Sequence, residues 1–232
     1  MKKLSGFTLA EVLITLGIIG VIAAMTLPNV KLTYTRKVTL AQLEKTYSTL
    51  VNTIRMAEYN NGKMKRWDFT LSGEEFFNKY LRNSVKYAMG QNNYDDTVKM
   101  LNNEKLVTPA IYTSNEAYHV TMMDASIISF LPEKDEDSVK GIWVGIDANG
   151  DAKPNTLGKD IYLYFLSKKE GLQPLGGPGS PAEYIPASGT LTRNNMVSAG
   201  NNACSKNRKG YWCAALVMHD GWKYSKDYPW EK

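Results

Sequence analysis

An apolar segment interrupted by one charge constrains this chain more than any other feature. Residues 7–27 form a run of 21 predominantly apolar residues in which Glu11 is the only ionisable side chain. A helix that rises about 1.5 Å per residue needs about 20 residues to cross the hydrocarbon layer of a membrane. An ionised carboxylate inside such a helix costs roughly 2.5–3.5 kcal/mol on insertion scales. The segment is therefore predicted to span a membrane, with a partner for the charge of Glu11.

The residues before the apolar run distinguish it from a secretory signal peptide. Lys2 and Lys3 are expected to hold the N-terminus in the cytoplasm. A signal peptide has an apolar core of about 7–15 residues followed by its cleavage site. Here the run is longer, and Gly6, the small residue that resembles a cleavage point, precedes it. Cleavage after Gly6 would remove a basic leader, residues 1–6, and keep the membrane helix.

This N-terminal pattern resembles the signal of the type IV pilin and type II secretion pseudopilin superfamily. The resemblance covers about the first 30 residues and is carried by Lys2, Lys3, Gly6, Phe7, Thr8, Leu9, Glu11 and Pro28. It implies that a prepilin peptidase cleaves between Gly6 and Phe7 and methylates the new amino terminus. It also implies a single-pass protein of the inner membrane with its head outside the cytoplasm, later part of a periplasmic or extracellular filament.

The same resemblance gives Glu11 and Pro28 a place in assembly. Pilin subunits stack with their N-terminal helices bundled, so the Glu11 carboxylate of one subunit can meet the Phe7 amine of its neighbour. The positive end of the helix dipole adds to the charge of that amine. The alternative is that Glu11, only four residues from Phe7, extends to the cytoplasmic interface. Pro28 ends the apolar run at a residue type that kinks or breaks helices.

Beyond Pro28 the apolar positions become periodic and predict an amphipathic helix. Residues at spacings of three and four share one helical face: Leu40, Leu43, Tyr47, Leu50, Ile54 and Ala57. Asn60-Asn61-Gly62 is a stop signal. Residues 7–60 are therefore predicted to form one long helix, transmembrane over 7–27, that carries an extracytoplasmic head formed by residues 61–232.

The head sequence predicts a second helix and then β-strands. Ser72-Gly-Glu-Glu75 has the pattern of a capping box and precedes apolar residues at helical spacing, which predicts a helix over about 72–89. Three or four strands are expected from the β-rich runs Tyr118–Met123, Ser126–Leu131, Gly141–Asp147 and Ile161–Leu166. The expected fold class is α+β and pilin-like, with the long N-terminal helix packed on a small antiparallel sheet. Residues 171–203, rich in glycine and proline, are expected to form a long loop.

Cys204 and Cys213 are the only two cysteines in the chain. The pilin resemblance places them outside the cytoplasm, where disulfides form and persist, and implies a bridge between them. In pilins a C-terminal region bounded by a disulfide is often exposed and variable, so the bridge also indicates where partners would contact the head. Two cysteines without a matching histidine pair do not indicate a zinc site.

The segment Asp147-Ala-Asn-Gly-Asp151 is open to two interpretations. Oxygen ligands at Asp147, Asn149 and Asp151 could converge on calcium, which part of the pilin superfamily binds, and Asp160 would add a further ligand. The pattern departs from an EF-hand because Gly150 stands at its fourth place, where the motif has glycine at the sixth. Asn149-Gly150 is also a preferred hairpin turn, which is the interpretation we favour. No other cofactor is expected.

Catalytic motifs find little support in the sequence. Neither histidine, His119 or His219, lies near a recognisable nucleophile or metalloprotease motif. His119 falls within an expected strand, and a turn is the simpler explanation for His219. The acidic groups Asp95-Asp96 and Asp135-Glu136-Asp137 lie in polar stretches and are expected to be solvated. The chain is therefore predicted not to be an enzyme.

Nucleic-acid binding is the main competing function. The segment 206–209, with three cations, adjoins Tyr211 and Trp212 inside the expected disulfide loop, which places cations for phosphates beside rings for stacking. Loss of Lys2 and Lys3 lowers the formal net charge from +5 to +3, which is only weakly basic. The sequence thus favours a minor pilin or pseudopilin of a type IV pilus or type II secretion-like filament. The alternative is a membrane-tethered binding module, such as a DNA-uptake or adhesion tip protein.

Overall fold

A computed structural model describes residues 6–94, 97–134 and 139–230 of the chain. The element order is one long helix, a short helical segment, a six-stranded sheet and two short C-terminal helices. The chain divides into two compact units, Met1–Thr39 and Leu40–Lys232. The boundary between the units falls inside the long helix.

Helix α1 extends from Leu9 to Asn61 and continues through Pro28. Within its apolar part, an 18-residue window has a mean hydropathy of 2.2, and none of that window is buried in the structure. By length and composition α1 can therefore cross a membrane. Since the apolar side chains of the first unit are exposed, they need lipid or other helices to cover them.

The second unit begins with the α1 residues that carry the predicted apolar stripe. Four of these side chains are buried and two more are half-buried against the same core: Leu43, Leu50, Ile54 and Ala57, with Leu40 and Tyr47. Helix α1 ends at Asn61, and Gly62 follows with φ +79°, a left-handed conformation that glycine adopts without strain. Both the stripe and the stop signal were correctly predicted.

The predicted helix over 72–89 is right at its start and wrong at its end. The Ser72 side chain accepts a hydrogen bond from the Glu75 backbone N–H, and the Glu75 carboxylate accepts one from Ser72, so the capping box is present. The helical segment comprises α2 (Gly73–Phe76), a π-helical turn and a 3₁₀ turn that ends at Ser84. Strand pairing then outweighs helical spacing, because residues from Tyr87 onward pair with a neighbouring strand.

Within the described residues the sheet contains six strands in sequence order, and every neighbouring pair is antiparallel. The strands are β1 (Tyr87–Gln91), β2 (Tyr118–Met122), β3 (Ile127–Lys134), β4 (Val139–Asp147), β5 (Ile161–Ser167) and β6 (Gly171–Pro174). The four predicted runs correspond to β2 to β5. The two edge strands were missed because they are short and only partly buried, so neither shows an alternating apolar pattern.

Both faces of the sheet are covered. One face contributes Val120, Val144 and Tyr164 to the core that also contains the α1 stripe. The other face contributes Trp143 and Phe165 to a second core beneath the loops. Strand β5 is buried at every position, which explains why its sequence is an uninterrupted apolar and aromatic run.

The glycine- and proline-rich region 171–203 is more structured than a single loop. It contains β6, a 3₁₀ turn at Ala182–Tyr184 and helix α3 (Arg193–Ser198). Helix α3 begins with a capping box formed by Thr192 and Asn195. Helix α4 (Cys213–His219) follows and contributes buried residues to the core.

Candidate functional sites: the N-terminal turn, the acidic turn and the disulfide loop

The N-terminal signal forms the first turn of α1. The Glu11 carboxylate accepts hydrogen bonds from the backbone N–H and the hydroxyl of Thr8, both at 2.8 Å. The Thr8 hydroxyl accepts one from the Glu11 N–H at 3.3 Å, so the two residues cap the helix reciprocally. Glu11 forms no ion pair within the described part of the chain. Among the described residues, its charge is therefore hydrogen-bonded but not paired with a cation.

The predicted cleavage point lies just before this helix. Gly6, Phe7 and Thr8 are not helical, and α1 begins at Leu9. Gly6 and Phe7 are both exposed, and nothing lies within 4 Å of the space that a Cβ at Gly6 would occupy. Both residues of the predicted cleavage bond are thus exposed and lie outside the helix.

The acidic turn brings Asp147, Asn149 and Asp160 together but leaves Asp151 exposed. Asp147 is 0% exposed and Asp160 is 1% exposed. Asp147 Oδ1 accepts hydrogen bonds from the backbone N–H groups of Asn149 at 3.0 Å and Gly150 at 2.9 Å. The turn at Asn149-Gly150 is therefore present. The turn belongs to a longer connection of residues 148–160 between the antiparallel strands β4 and β5.

Asp160 organises the second half of the same connection. Its carboxylate accepts hydrogen bonds from the N–H groups of Thr156 at 2.7 Å and Asn155 at 2.8 Å. Burial raises the pKa of Asp160, and these hydrogen bonds partly offset that effect. Each aspartate thus stabilises a turn at the cost of a buried carboxylate.

Asp147 titrates near neutral pH. Burial is the largest cause that raises its pKa from the ordinary 3.8 to about 7. The Tyr94 hydroxyl donates a hydrogen bond to Asp147 Oδ2 and lowers the pKa, while the charge of Asp160 raises it. Tyr94 was missed in the sequence, because it lies in a polar stretch 53 positions before Asp147 with no local signal.

The described residues contain no group of three or more His, Cys, Asp or Glu side chains that could hold a metal ion. Asp147 and Asp160 direct their oxygens to backbone N–H groups and to Tyr94, and Asp151 is exposed. Calcium usually takes six to eight oxygen ligands. As they are placed, these side chains form hydrogen-bonded turns, and calcium has no part in the function proposed below.

The two histidines occupy different environments. His119 lies on β2 and is 1% exposed, with Nδ1 at 2.7 Å from Ser129 Oγ on the neighbouring strand. Burial lowers the pKa of His119 to about 4, so its imidazole is neutral at pH 7. This serine–histidine pair is enclosed in the core and cannot reach a substrate. His219 has a side chain that is 50% exposed, with Nδ1 at 3.2 Å from Asp220 Oδ1.

The groups Asp95-Asp96 and Asp135-Glu136-Asp137 lie outside the described residues. Arg193, which the sequence pattern did not indicate, forms ion pairs with two aspartate side chains near the end of the chain. Its guanidinium contacts Asp220 Oδ1 at 2.7 Å and Asp227 Oδ1 at 2.9 Å. These ion pairs tie the start of α3 to the segment after α4.

Cys204 and Cys213 form a disulfide bond with Cα atoms 4.7 Å apart. Lys206, Asn207 and Arg208 are exposed in the loop that the bond closes. Lys209 Nζ lies 5.7 Å from the centroid of the Tyr211 ring, but the Tyr211 and Trp212 rings are both buried. Tyr211 donates its hydroxyl to the carbonyl of Thr108, and Trp212 Nε1 donates to the carbonyl of Tyr184 at 2.8 Å. Neither ring is available to stack on a base.

The long apolar helix on a sheet-based head, together with the capped N-terminal turn, has the features of a type IV pilin-like or pseudopilin-like protein. Residues 1–27 match the prokaryotic N-terminal methylation motif, which confirms this class. Residues 30–231 match the model of a family of unknown function (DUF6613), and the chain belongs to that family. No curated protein and no solved structure matches the chain.

Proposed function

We propose that this chain is a minor pilin or pseudopilin, a structural and assembly subunit of a type IV pilus or type II secretion-like filament. The observation that carries the proposal is the methylation motif at the start of a helix whose most apolar window is entirely exposed. Such a helix is covered by lipid before assembly and by the helices of other subunits afterwards. The role is structural, and the chain is not an enzyme.

In this proposal the prepilin peptidase removes residues 1–6 at the inner membrane, with the head outside the cytoplasm. The accessible, non-helical bond between Gly6 and Phe7 supports cleavage at this point. Thr8 remains on the mature chain, so the cap on Glu11 survives cleavage. The disulfide fits a head that reaches an oxidising compartment.

The proposed assembly step replaces a solitary charge with an ion pair. Before assembly, Glu11 has hydrogen bonds from Thr8 but no cation among the residues described. In the filament, the Phe7 amine of the adjoining subunit would supply the cation. Removing one member of a charge pair in a low-dielectric region leaves the other uncompensated, which is strongly unfavourable. Glu11 therefore favours insertion of each subunit at the axial position where its carboxylate meets the Phe7 amine of the adjoining subunit.

Mass spectrometry of the mature protein tests the processing step. The mature chain is expected to begin at methylated Phe7, and Gly6→Leu is expected to leave the leader attached. A mature N-terminus beyond Leu27 would contradict the proposal.

Three substitutions separate the charge of Glu11 from its capping role. Glu11→Leu removes the charge and the carboxylate acceptor, and Glu11→Gln removes the charge but keeps a side-chain acceptor. Thr8→Ala removes the hydrogen bonds of the Thr8 hydroxyl but keeps the charge and the backbone N–H that donates to it. The measurement is the ratio of mature protein in sheared filaments to that left in the inner membrane. Both Glu11 variants are expected to lower this ratio at least tenfold, and Thr8→Ala less than threefold. Normal incorporation of Glu11→Gln would show that the carboxylate charge does not direct assembly.

A further inference from the structure

A small polar pocket of about 80 Å³ adjoins the disulfide loop. None of the described residues that line it is acidic, and its polar lining consists of two lysines and three asparagines: Lys159, Lys206, Asn102, Asn103 and Asn207. These residues come from three segments that are far apart in the sequence. The tertiary fold therefore assembles this group of donors.

The walls of the pocket are held in place by a disulfide bond and a backbone hydrogen bond. The disulfide between Cys204 and Cys213 closes the loop that carries Lys206. The Leu101 N–H donates to the carbonyl of Lys209 at 3.0 Å, which attaches the segment 101–103 to that loop. Leu101 itself is buried. The pocket is thus built on an ordered part of the head.

The pocket concentrates positive charge and hydrogen-bond donors. Lys159 is half-buried, and neither Lys159 nor Lys206 forms an ion pair within the ranges that the structure describes. Asn102 Oδ1 accepts a hydrogen bond from the Glu104 N–H at 3.2 Å, so the amide group of Asn102 is left to donate. Two ammonium groups beside one cavity repel each other, and an anion between them would offset that repulsion.

We propose that this pocket binds a phosphate group, either free or within the phosphodiester backbone of a nucleic acid. A tetrahedral oxyanion accepts hydrogen bonds from several directions, which matches ammonium and amide donors supplied by three segments. The cavity is too small for a nucleotide base, and Tyr211 and Trp212 are buried, so recognition is confined to the phosphate. This activity is additional to filament assembly and does not depend on it.

Isothermal titration calorimetry with inorganic phosphate, on the full chain in detergent micelles at fixed ionic strength, tests the proposal. Lys159→Gln and Lys206→Gln are each expected to weaken binding about fivefold, and the double variant at least tenfold. Lys65→Gln, an exposed lysine on the 3₁₀ turn Met64–Arg66, makes the same charge change elsewhere and is expected to alter affinity less than twofold. Asn207→Asp adds a carboxylate at the pocket and is expected to abolish binding.

Two results would overturn the proposal. One is absence of phosphate binding by the wild-type chain at tens of millimolar phosphate. The other is a loss of affinity in Lys65→Gln as large as that in the double variant, which would indicate non-specific attraction. Migration of each variant on a non-reducing gel and its circular dichroism spectrum verify that the disulfide and the fold are intact.

Fluorescence anisotropy with a labelled single-stranded oligonucleotide distinguishes the two sources of phosphate. If the phosphodiester is the ligand, the double variant weakens oligonucleotide binding and reduces the slope of log K against log salt by about 1 to 2. If oligonucleotide binding is unchanged while phosphate binding is lost, the ligand is free phosphate or a phosphomonoester.

Discussion

The free energy of unfolding of Asp147→Asn, relative to that of wild type, is expected to increase as pH rises from 4 to 8. The pKa of Asp147 is about 7 in the folded chain, against an ordinary value of 3.8. Between these two values the folded state binds more protons than the unfolded state. The contribution of Asp147 to the free energy of unfolding is therefore fully present below about pH 4 and is lost as pH rises through 7. Asparagine has no such titration.

The magnitude follows from the two pKa values and the hydrogen bonds. Each pKa unit is worth about 1.4 kcal/mol, so the difference between 3.8 and about 7 corresponds to about 4 kcal/mol. Asparagine Oδ1 can still accept from the N–H groups of Asn149 and Gly150, but the Tyr94 hydroxyl loses its acceptor, at a cost of about 1 kcal/mol. We expect Asp147→Asn to be about 1 kcal/mol less stable than wild type at pH 4 and about 3 kcal/mol more stable at pH 8.

The difference between variant and wild type is the quantity to measure, because His119 titrates in the opposite sense. Its pKa is lowered from 6.5 to about 4, so its contribution to stability is present above 6.5 and is lost as pH falls through 4. This contribution masks that of Asp147 in the wild-type chain alone. It cancels in the comparison, since both proteins contain His119.

The assay is urea unfolding of a fragment comprising residues 31–232 at pH 4, 6 and 8, monitored by tryptophan fluorescence. Asp151→Asn is the control, because Asp151 belongs to the same turn but is exposed. Its effect is expected to stay within about 0.5 kcal/mol at every pH. A difference between Asp147→Asn and wild type that does not increase with pH would refute the argument that burial holds the pKa of Asp147 near neutrality.

Three further outcomes are expected. The fragment 31–232 should unfold in one cooperative transition, and a non-cooperative transition would show that its core needs the rest of α1. Cys204→Ser should lower stability by somewhat under about 3 kcal/mol, because the closed loop is short, and limited proteolysis should show faster cleavage near the C-terminus. Arg193→Gln should lower the melting temperature at pH 7 more than the control Arg66→Gln does. This difference should diminish as pH falls toward 2, because the Arg193 guanidinium holds the pKa of Asp227 at about 2. A difference that is independent of pH would exclude the ion pair as its cause.

Local signals in the sequence account for the first half of the fold. The apolar run 7–27, the stripe from Leu40 to Ala57 and the stop at Gly62 were all readable, because helical periodicity and helix termination depend on neighbouring residues. The four central strands were readable for the same reason, since burial of the sheet demands apolar runs. The methylation signal is likewise contiguous, and its family match agrees with it.

Other elements depend on partners that are distant in the sequence. Residues 87–89 were included in the predicted helix, but Tyr87 and Met89 pair with β2, and Tyr118 occupies the space that a Cβ at Gly90 would need. A strand there is stabilised by its neighbour and not by its own pattern. The helical turns within 171–203 also depend on distant residues, because Met196 and Tyr184 are buried against distant parts of the head.

By itself, the sequence determined the class of this protein: the N-terminal methylation signal, the long apolar helix with Glu11 and the α+β head. Only the tertiary structure decided the chemistry of the head. In the folded head Asp147 is buried beside Asp160 and Tyr94. Tyr211 and Trp212 are buried as well. Lys159 and Lys206 line the same pocket. The reason is that a motif is a property of adjacent residues, whereas a pKa, an accessible ring or a convergent pocket is set by desolvation and by neighbours that folding supplies.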